Sequence, residues 1–248
     1  LSKYGLDKFY TKKEVVKKIL KEIDISKYKT IIEPSAGAGA FSNEITSCIA
    51  YDIEPENKRI IKQDFLKLVI KEEKPILIIG NPPFGRNGSL ALAFIKHSAI
   101  YSDTIAFILP KSFKKDSFYY KIPLNFWKVK EIDLDDNSFI YESNDVKVPC
   151  VFQVYEKKEE KRIKPKKINP RTFSFVKKEK ANVSIRRVGV YAGKAFLDLN
   201  KSEQSHYFIY TDNPILFIDS VNKIKWEHNN TVGPRSISKP ELIKKIEP

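Results

Sequence analysis

The sequence predicts an α/β fold, a mostly parallel sheet with helices on both faces, followed by a small β-leaning C-terminal region. Three observations carry the prediction. Short Ile- and Val-rich runs alternate with segments of helical period. An early run ends in a small-residue turn, Ser35-Ala36-Gly37-Ala38-Gly39-Ala40. Polar residues stand at the ends of successive runs, Glu33, Asp52 and Asp64, then Asn81, and strand ends are where open α/β sheets bind ligands.

Taken in order, Val15, Val16, Ile19, Leu20 and Ile23 recur at helical spacing, and Thr11-Lys12-Lys13-Glu14 has the form of a capping box. Thr30-Ile31-Ile32 reads as a strand leading to Glu33-Pro34, and 47–51 as a strand leading to Asp52. Residues 76–80, 104–109 and 148–155 read as further strands, with 40–47, 89–101 and 112–121 as intervening helices. Residues 157–180 are highly charged and poor in apolar side chains, which predicts a basic linker between a domain over 1–156 and a small region over 181–248. In that last region 183–185 and 207–211 read as strands, and Ser238-Lys239-Pro240-Glu241 as a second capping box opening a short helix.

The 248 residues suffice for one sizeable domain and a smaller one. Net charge is +14, unevenly placed: 24 Lys and Arg against 21 Asp and Glu over 1–156, and 21 against 10 over 157–248. A cationic last third points to a polyanion partner, nucleic acid above all. No apolar stretch reaches the roughly 18–20 residues of a membrane span, and no basic-then-apolar leader opens the sequence. Because it opens on Leu1 and has no Met, further sequence is expected to precede it. The two cysteines, Cys48 and Cys150, sit in no metal-binding pattern. Reduced thiols, a cytoplasmic location and no metal are therefore expected.

The most specific feature is Asn81-Pro82-Pro83-Phe84, directly after the apolar run 76–80. An exocyclic ring amine is a poor nucleophile because its lone pair is delocalised. Holding its two N–H groups with the Asn81 side-chain oxygen and the Pro82 carbonyl draws the nitrogen toward a tetrahedral form. Two prolines leave no backbone donor to repel the amine, and Phe84 offers a face for stacking. Upstream, the glycine turn lacks the full G-x-G-x-x-G pattern, and Glu33 at its entrance would repel a pyrophosphate while suiting a cationic amino-acid group. Asp52 is placed to hold ribose hydroxyls, and Asp64-Phe65 to meet an adenine amine and ring.

With these residues the chain resembles the S-adenosylmethionine-dependent N6-adenine DNA methyltransferases, in an order like the gamma arrangement and over about residues 9–156. The resemblance implies a Rossmann-like seven-stranded sheet whose last strand, 148–155, is antiparallel. It implies S-adenosyl-L-methionine as cofactor, held by Tyr10, Thr11, Glu33, Pro34, Ala36, Gly37, Gly39, Phe41, Asp52, Ile53, Asp64, Phe65 and Asn81. Thr11 would meet the methionine carboxylate, or its hydroxyl would simply cap the first helix. Asn81, Pro82, Pro83 and Phe84 would act on a flipped adenine, with Phe139 or Tyr141 as a second aromatic wall. Duplex DNA is the expected partner, contacted by Arg186, Arg187, Lys194, Arg235 and Lys239, with Asn229 and Asn230 as readers of adenine edges. A cognate nuclease or partner subunit is compatible with such an enzyme. RNA adenine, a protein glutamine amide and a catalytically silent binding subunit are the rival readings, in that order.

Overall fold

The computed structural model describes residues 9–141, 143–164, 166, 168–226 and 235–247. The chain divides into two compact units, Leu1–Lys164 and Pro165–Pro248.

The first unit holds strands β1 (Tyr10–Thr11), β2 (Thr30–Glu33), β3 (Cys48–Asp52), β4 (Ile61–Lys62), β5 (Ile76–Gly80), β6 (Thr104–Pro110), β7 (Phe126–Asp133), β8 (Phe139–Tyr141), β9 (Asn144–Val146) and β10 (Cys150–Lys157). Its helices are α1 (Lys13–Leu20), α2 (Ser89–Tyr101) and the single turn α3 (Asp116–Tyr119). Seven strands form one Rossmann-like sheet in the order β4-β3-β2-β5-β6-β10-β7. β2 through β6 pair in parallel, while β10 runs antiparallel to both β6 and β7. The antiparallel strand is the one the sequence marked at 148–155. The order reverses between β2 and β5, so a crevice opens beyond their C-terminal ends, at Glu33 and Asn81. β5 and β6 are buried along their whole length, as central strands covered on both faces must be.

Several elements differ from expectation. Residues 40–47 form tight turns, not a helix: only Phe41 and Ile45 reach the core, and the next strand begins at Cys48. The expected helix over 112–121 is broken into a short 3₁₀ turn and α3. β7 was not anticipated, because its apolar positions are diluted by charges. Those charges are paired: Lys128 with Glu131, Lys114 with Asp133 at 2.8 Å, and Lys130 with Glu22 at 2.9 Å. Charge on the edge of a sheet also discourages pairing with another chain.

The residues expected as a linker are not all free of the packed units. The Arg162 side chain is buried under the first unit, donating from Nη1 to the Tyr119 carbonyl at 3.0 Å and from Nη2 to the carbonyls of Ile122 and Pro123 at 3.0 and 3.2 Å. Its guanidinium lies 3.8 Å from the centre of the Tyr119 ring. At the other end, Phe173 is buried and Phe175 lies in a strand of the second unit. A run of charges looks solvated in sequence, and a single stacked Arg reverses that locally.

The second unit is a four-stranded antiparallel sheet, β11 (Ser174–Phe175), β12 (Val183–Arg186), β13 (Ala195–Phe196) and β14 (His206–Tyr210), in the order β11-β14-β12-β13. Helices α4 (Pro214–Lys223) and α5 (Lys239–Ile246) complete it. Val183, Ile185, Ile209, Phe217, Val221, Leu242 and Ile243 share its core. The capping box at Ser238 is present, with Glu241 N–H donating to Ser238 Oγ at 3.3 Å and Ser238 N–H donating to Glu241 at 2.7 Å. Among the described residues no helix is long and apolar enough to cross a membrane.

Candidate active site

A cavity of about 300 Å³ lies at the crevice beyond β2 and β5, at the low end of the range for small-molecule sites. Tyr10, Thr11, Glu33, Pro34, Ala36, Gly37, Asp52, Ile53, Asp64, Phe65 and all four residues from Asn81 to Phe84 border it. Segments far apart in sequence are thus brought together around one cavity. Gly39 and Phe41 do not line it: Phe41 is fully buried among Val16, Ile19 and Ile31, and serves the site through its backbone N–H. Phe65 borders the cavity from within the core. Its ring is buried, stacked on Phe94 at 5.4 Å and edge-on to His97 at 5.0 Å, so it is a supporting wall and not an open face. The exposed apolar group at the cavity is Ile53, 58% accessible.

The backbone turn after β2 is tied to the acids. Gly37, at φ +54°, donates its N–H to Asp52 Oδ2 at 2.7 Å, and Glu54 N–H donates to Oδ1 at 2.8 Å. The positive φ is one that glycine adopts at no steric cost. Glu33 is 1% exposed and accepts from Phe41 N–H at 3.1 Å and Ser42 N–H at 2.8 Å. Both of its oxygens therefore hold the turn, a role the sequence did not disclose. Burial pushes its carboxyl up from 4.5 to about 7, the two backbone N–H bonds opposing the shift and the Asp52 charge adding to it.

A measurable pH dependence follows. Glu33 binds its proton more tightly in the folded state, so its contribution to stability is complete below about pH 4.5 and lost as pH rises through about 7. The loss expected is about 3 kcal/mol at most. Urea unfolding of the wild type between pH 4.5 and 8 should show the decline, and Glu33→Gln should flatten it; an equal slope in both would remove Glu33 as its source.

Asn81 is held at its amide nitrogen by two bonds. Its Nδ2 donates to the Phe9 carbonyl at 3.3 Å and to Thr11 Oγ1 at 3.2 Å. A carbonyl can only accept, so the amide nitrogen must face Phe9 and the oxygen is the end left over. That oxygen, Oδ1, is buried with no hydrogen-bond partner among the described residues. A buried acceptor without a donor costs about 1–3 kcal/mol, which a bound N–H would relieve. The same geometry excludes one of the two roles for Thr11. It sits in β1 opposite Phe139 of β8, and α1 begins after Lys12 with no side-chain cap. Its hydroxyl orients Asn81 instead of capping the helix.

Five acids border the cavity, Glu33, Asp52, Glu54, Glu56 and Asp64, with no Lys, Arg or His among the described lining residues. Tyr10 donates its hydroxyl to Glu56, and burial, together with Glu56 and Asp52, pushes the phenol up to about 12. Such a lining favours a cation and opposes a pyrophosphate. Leu90 and Phe94 of α2 complete the apolar side; their i, i+4 spacing on 89–101 was the available signal. Between the two aromatic candidates, Phe139 is fully buried in the core, whereas the half-buried Tyr141 ring stands 6.0 Å from that of Phe9, which lines the cavity.

In the second unit, Arg186 is engaged within the fold, donating from Nε to the Val188 carbonyl at 2.7 Å and from Nη1 to Ser205 Oγ at 3.2 Å. Arg187 lies 5.5 Å from the Tyr207 ring centre, and Lys239 lies 4.5 Å from that of Phe175. Lys194 and Arg235 are exposed. Asn229 and Asn230 lie outside the described residues.

No protein-family model and no curated protein sequence matches the chain. Solved structures resemble it at a distance. A Pyrococcus horikoshii protein, provisionally described as an RNA methyltransferase, shares 13% identity at a TM-score of 0.48, over 61% of this chain and 87% of its own. A Thermoplasma acidophilum protein shares 18% at 0.47, over 62% and 94%. The 23S rRNA methyltransferase ErmE shares 14% at 0.45, over 63% and 72%. Likeness at this level leaves the functional argument to the chain's own residues.

Proposed function

We propose that this chain transfers a methyl group from S-adenosylmethionine to the exocyclic N6 amine of an adenine in DNA, flipped out of the duplex to reach the cavity. The observation that carries the reading is an acid-lined cavity bordered by Asn81, whose buried Oδ1 lacks a donor. The residues suit the cofactor: Asp52 for the ribose hydroxyls, Ile53 and Asp64 for the adenine ring and its amine, and the surrounding carboxylates for a net cation.

S-adenosylmethionine supplies an electrophilic methyl group on a sulfonium. The protein's share is positional. Asn81 Oδ1 and the Pro82 carbonyl accept the two N–H bonds of the amine, localising its lone pair. Phe84 stacks on the base and Tyr141 stands as the second ring. Positive charge developing on the amine nitrogen as it takes the methyl group would be stabilised by these two oxygens. The resulting ammonium is acidic and gives its proton to water, so no general base is required.

RNA is the second reading, favoured by the small size of the unit Pro165–Pro248, which limits how much sequence it can read. Transfer of labelled methyl to matched DNA and RNA pools, followed by nucleoside analysis, separates the two. N6-methyladenine in DNA supports the proposal. Label confined to RNA replaces the substrate, and label in neither pool removes the activity.

A further inference from the structure

The second unit carries a loop whose construction the methyl-transfer reading does not require. Between β12 and β13 the chain makes a tight turn over 187–194, held by bonds from Gly193 N–H to the Arg186 carbonyl at 2.8 Å and from Ala192 N–H to the Gly189 carbonyl at 3.0 Å. A second segment is sewn to it: Gly189 N–H donates to the Arg235 carbonyl at 2.8 Å, and Ile237 N–H to the Arg187 carbonyl at 2.9 Å. These backbone bonds bring Arg235, distant in sequence, to the loop that carries Arg187 and Lys194. At its tip are two apolar side chains left in water, Val190 at 76% and Tyr191 at 63% accessible. The Lys194 ammonium lies 5.6 Å from the Tyr191 ring centre.

An exposed aromatic at the end of a braced loop, with one cation beside its ring, is costly to leave unused. The unit around it holds 16 Lys and Arg against 8 Asp and Glu over 165–248, so the complementary partner is a polyanion. Two apolar residues are too few to anchor the chain in a bilayer, where stable attachment takes a larger buried area. A nucleic acid uses both parts: an aromatic face for an unstacked base and cations for the flanking phosphates.

We infer that the 187–194 loop is a nucleic-acid contact in which Tyr191 stacks on an unpaired base while Lys194 and Arg235 hold the adjoining phosphates. The inference rests on the proposed activity and deepens it by naming an element of the second unit that engages the substrate, and it is tested without catalysis. The full chain is titrated, with no cofactor, against single-stranded and duplex oligonucleotides of DNA and of RNA, each carrying 2-aminopurine. Quenching of the probe and a drop in affinity of about 5- to 150-fold in Tyr191→Ala are expected, the range corresponding to one lost base–aromatic stack. Tyr191→Phe should bind as the wild type. Lys194→Ala and Arg235→Ala should each lower the slope of log affinity against log salt by about one.

Circular dichroism of Tyr191→Ala checks the fold, which an exposed side chain should not disturb. Wild-type affinity in Tyr191→Ala, or an unquenched probe, would overturn the inference. So would binding to anionic vesicles that depends on Tyr191 when oligonucleotide binding does not. Calorimetry with S-adenosylmethionine is independent of this loop: its failure alongside Tyr191-dependent binding would sink the proposed activity and leave the loop assignment standing.

Discussion

Asn81→Ala is expected to lower methyl transfer by about 10³-fold or more, the scale of removing a preorganised polar group at a reacting centre, with S-adenosylmethionine binding kept near wild type. Asn81→Asp is the sharper test. It retains an acceptor, yet places a carboxylate oxygen where the amide nitrogen now donates to the Phe9 carbonyl at 3.3 Å. Two acceptors would then face each other, so this variant should also lose most activity. Thr11 decides between two roles. As the second anchor of the Asn81 amide, at 3.2 Å, its change to Val should cut kcat about tenfold, within the range for a lost hydrogen bond, and leave cofactor affinity intact. Thr11→Ser should restore the rate. A raised cofactor Kd with kcat unchanged would instead place Thr11 on the methionine carboxylate. Near-wild-type turnover in Asn81→Ala would end the mechanism altogether.

Gly85→Ala is expected to cost about 3 kcal/mol and to disable the site with it. Gly85 follows Phe84 at φ +65°, ψ −179°, a conformation nearly exclusive to glycine. A Cβ there would stand 2.7 Å from Leu90 Cβ and 3.1 Å from the Leu90 backbone nitrogen. Relief by a side-chain rotation is not available, because the second contact is backbone. The turn matters to the chemistry through Phe84, whose carbonyl accepts from Leu90 N–H at 3.1 Å and Ala91 N–H at 3.3 Å at the start of α2. Shifting Gly85 therefore shifts the ring meant to stack on the base. Denaturant unfolding and cofactor binding would read the two consequences separately. An unchanged midpoint would show that the turn accommodates a methyl group.

The parts of this architecture that were legible in sequence are those written locally. Central strands announce themselves as apolar runs, and the residue at each tip is simply the next one along, so Glu33, Asp52, Asp64 and Asn81 could be placed before any coordinates. What each tip residue does was harder to read. Glu33 appeared as a ligand for a cation and proves to hold two N–H groups of its own turn. Phe65 was read as a ring to pack against a base; it borders the cavity, with its own ring packed by Phe94 and His97. Thr11 was open in sequence between the methionine carboxylate and a helix cap, because capping boxes are local patterns, whereas its hydrogen-bond partner Asn81 is 70 residues away. β1 and β8 share a two-residue register that no periodicity encodes, and β7 hides behind its charges.

The buried guanidinium of Arg162 relocates the seam of the molecule. A fragment ending at 156, where the charged stretch begins, would remove the guanidinium that donates to the carbonyls of Tyr119, Ile122 and Pro123. It would also remove the Glu160 carbonyl that accepts from the Trp127 indole at 2.8 Å. The first compact unit ends after Lys164, and its last eight residues act as a clasp: sequence that looks like tether is bonded to the far edge of the sheet.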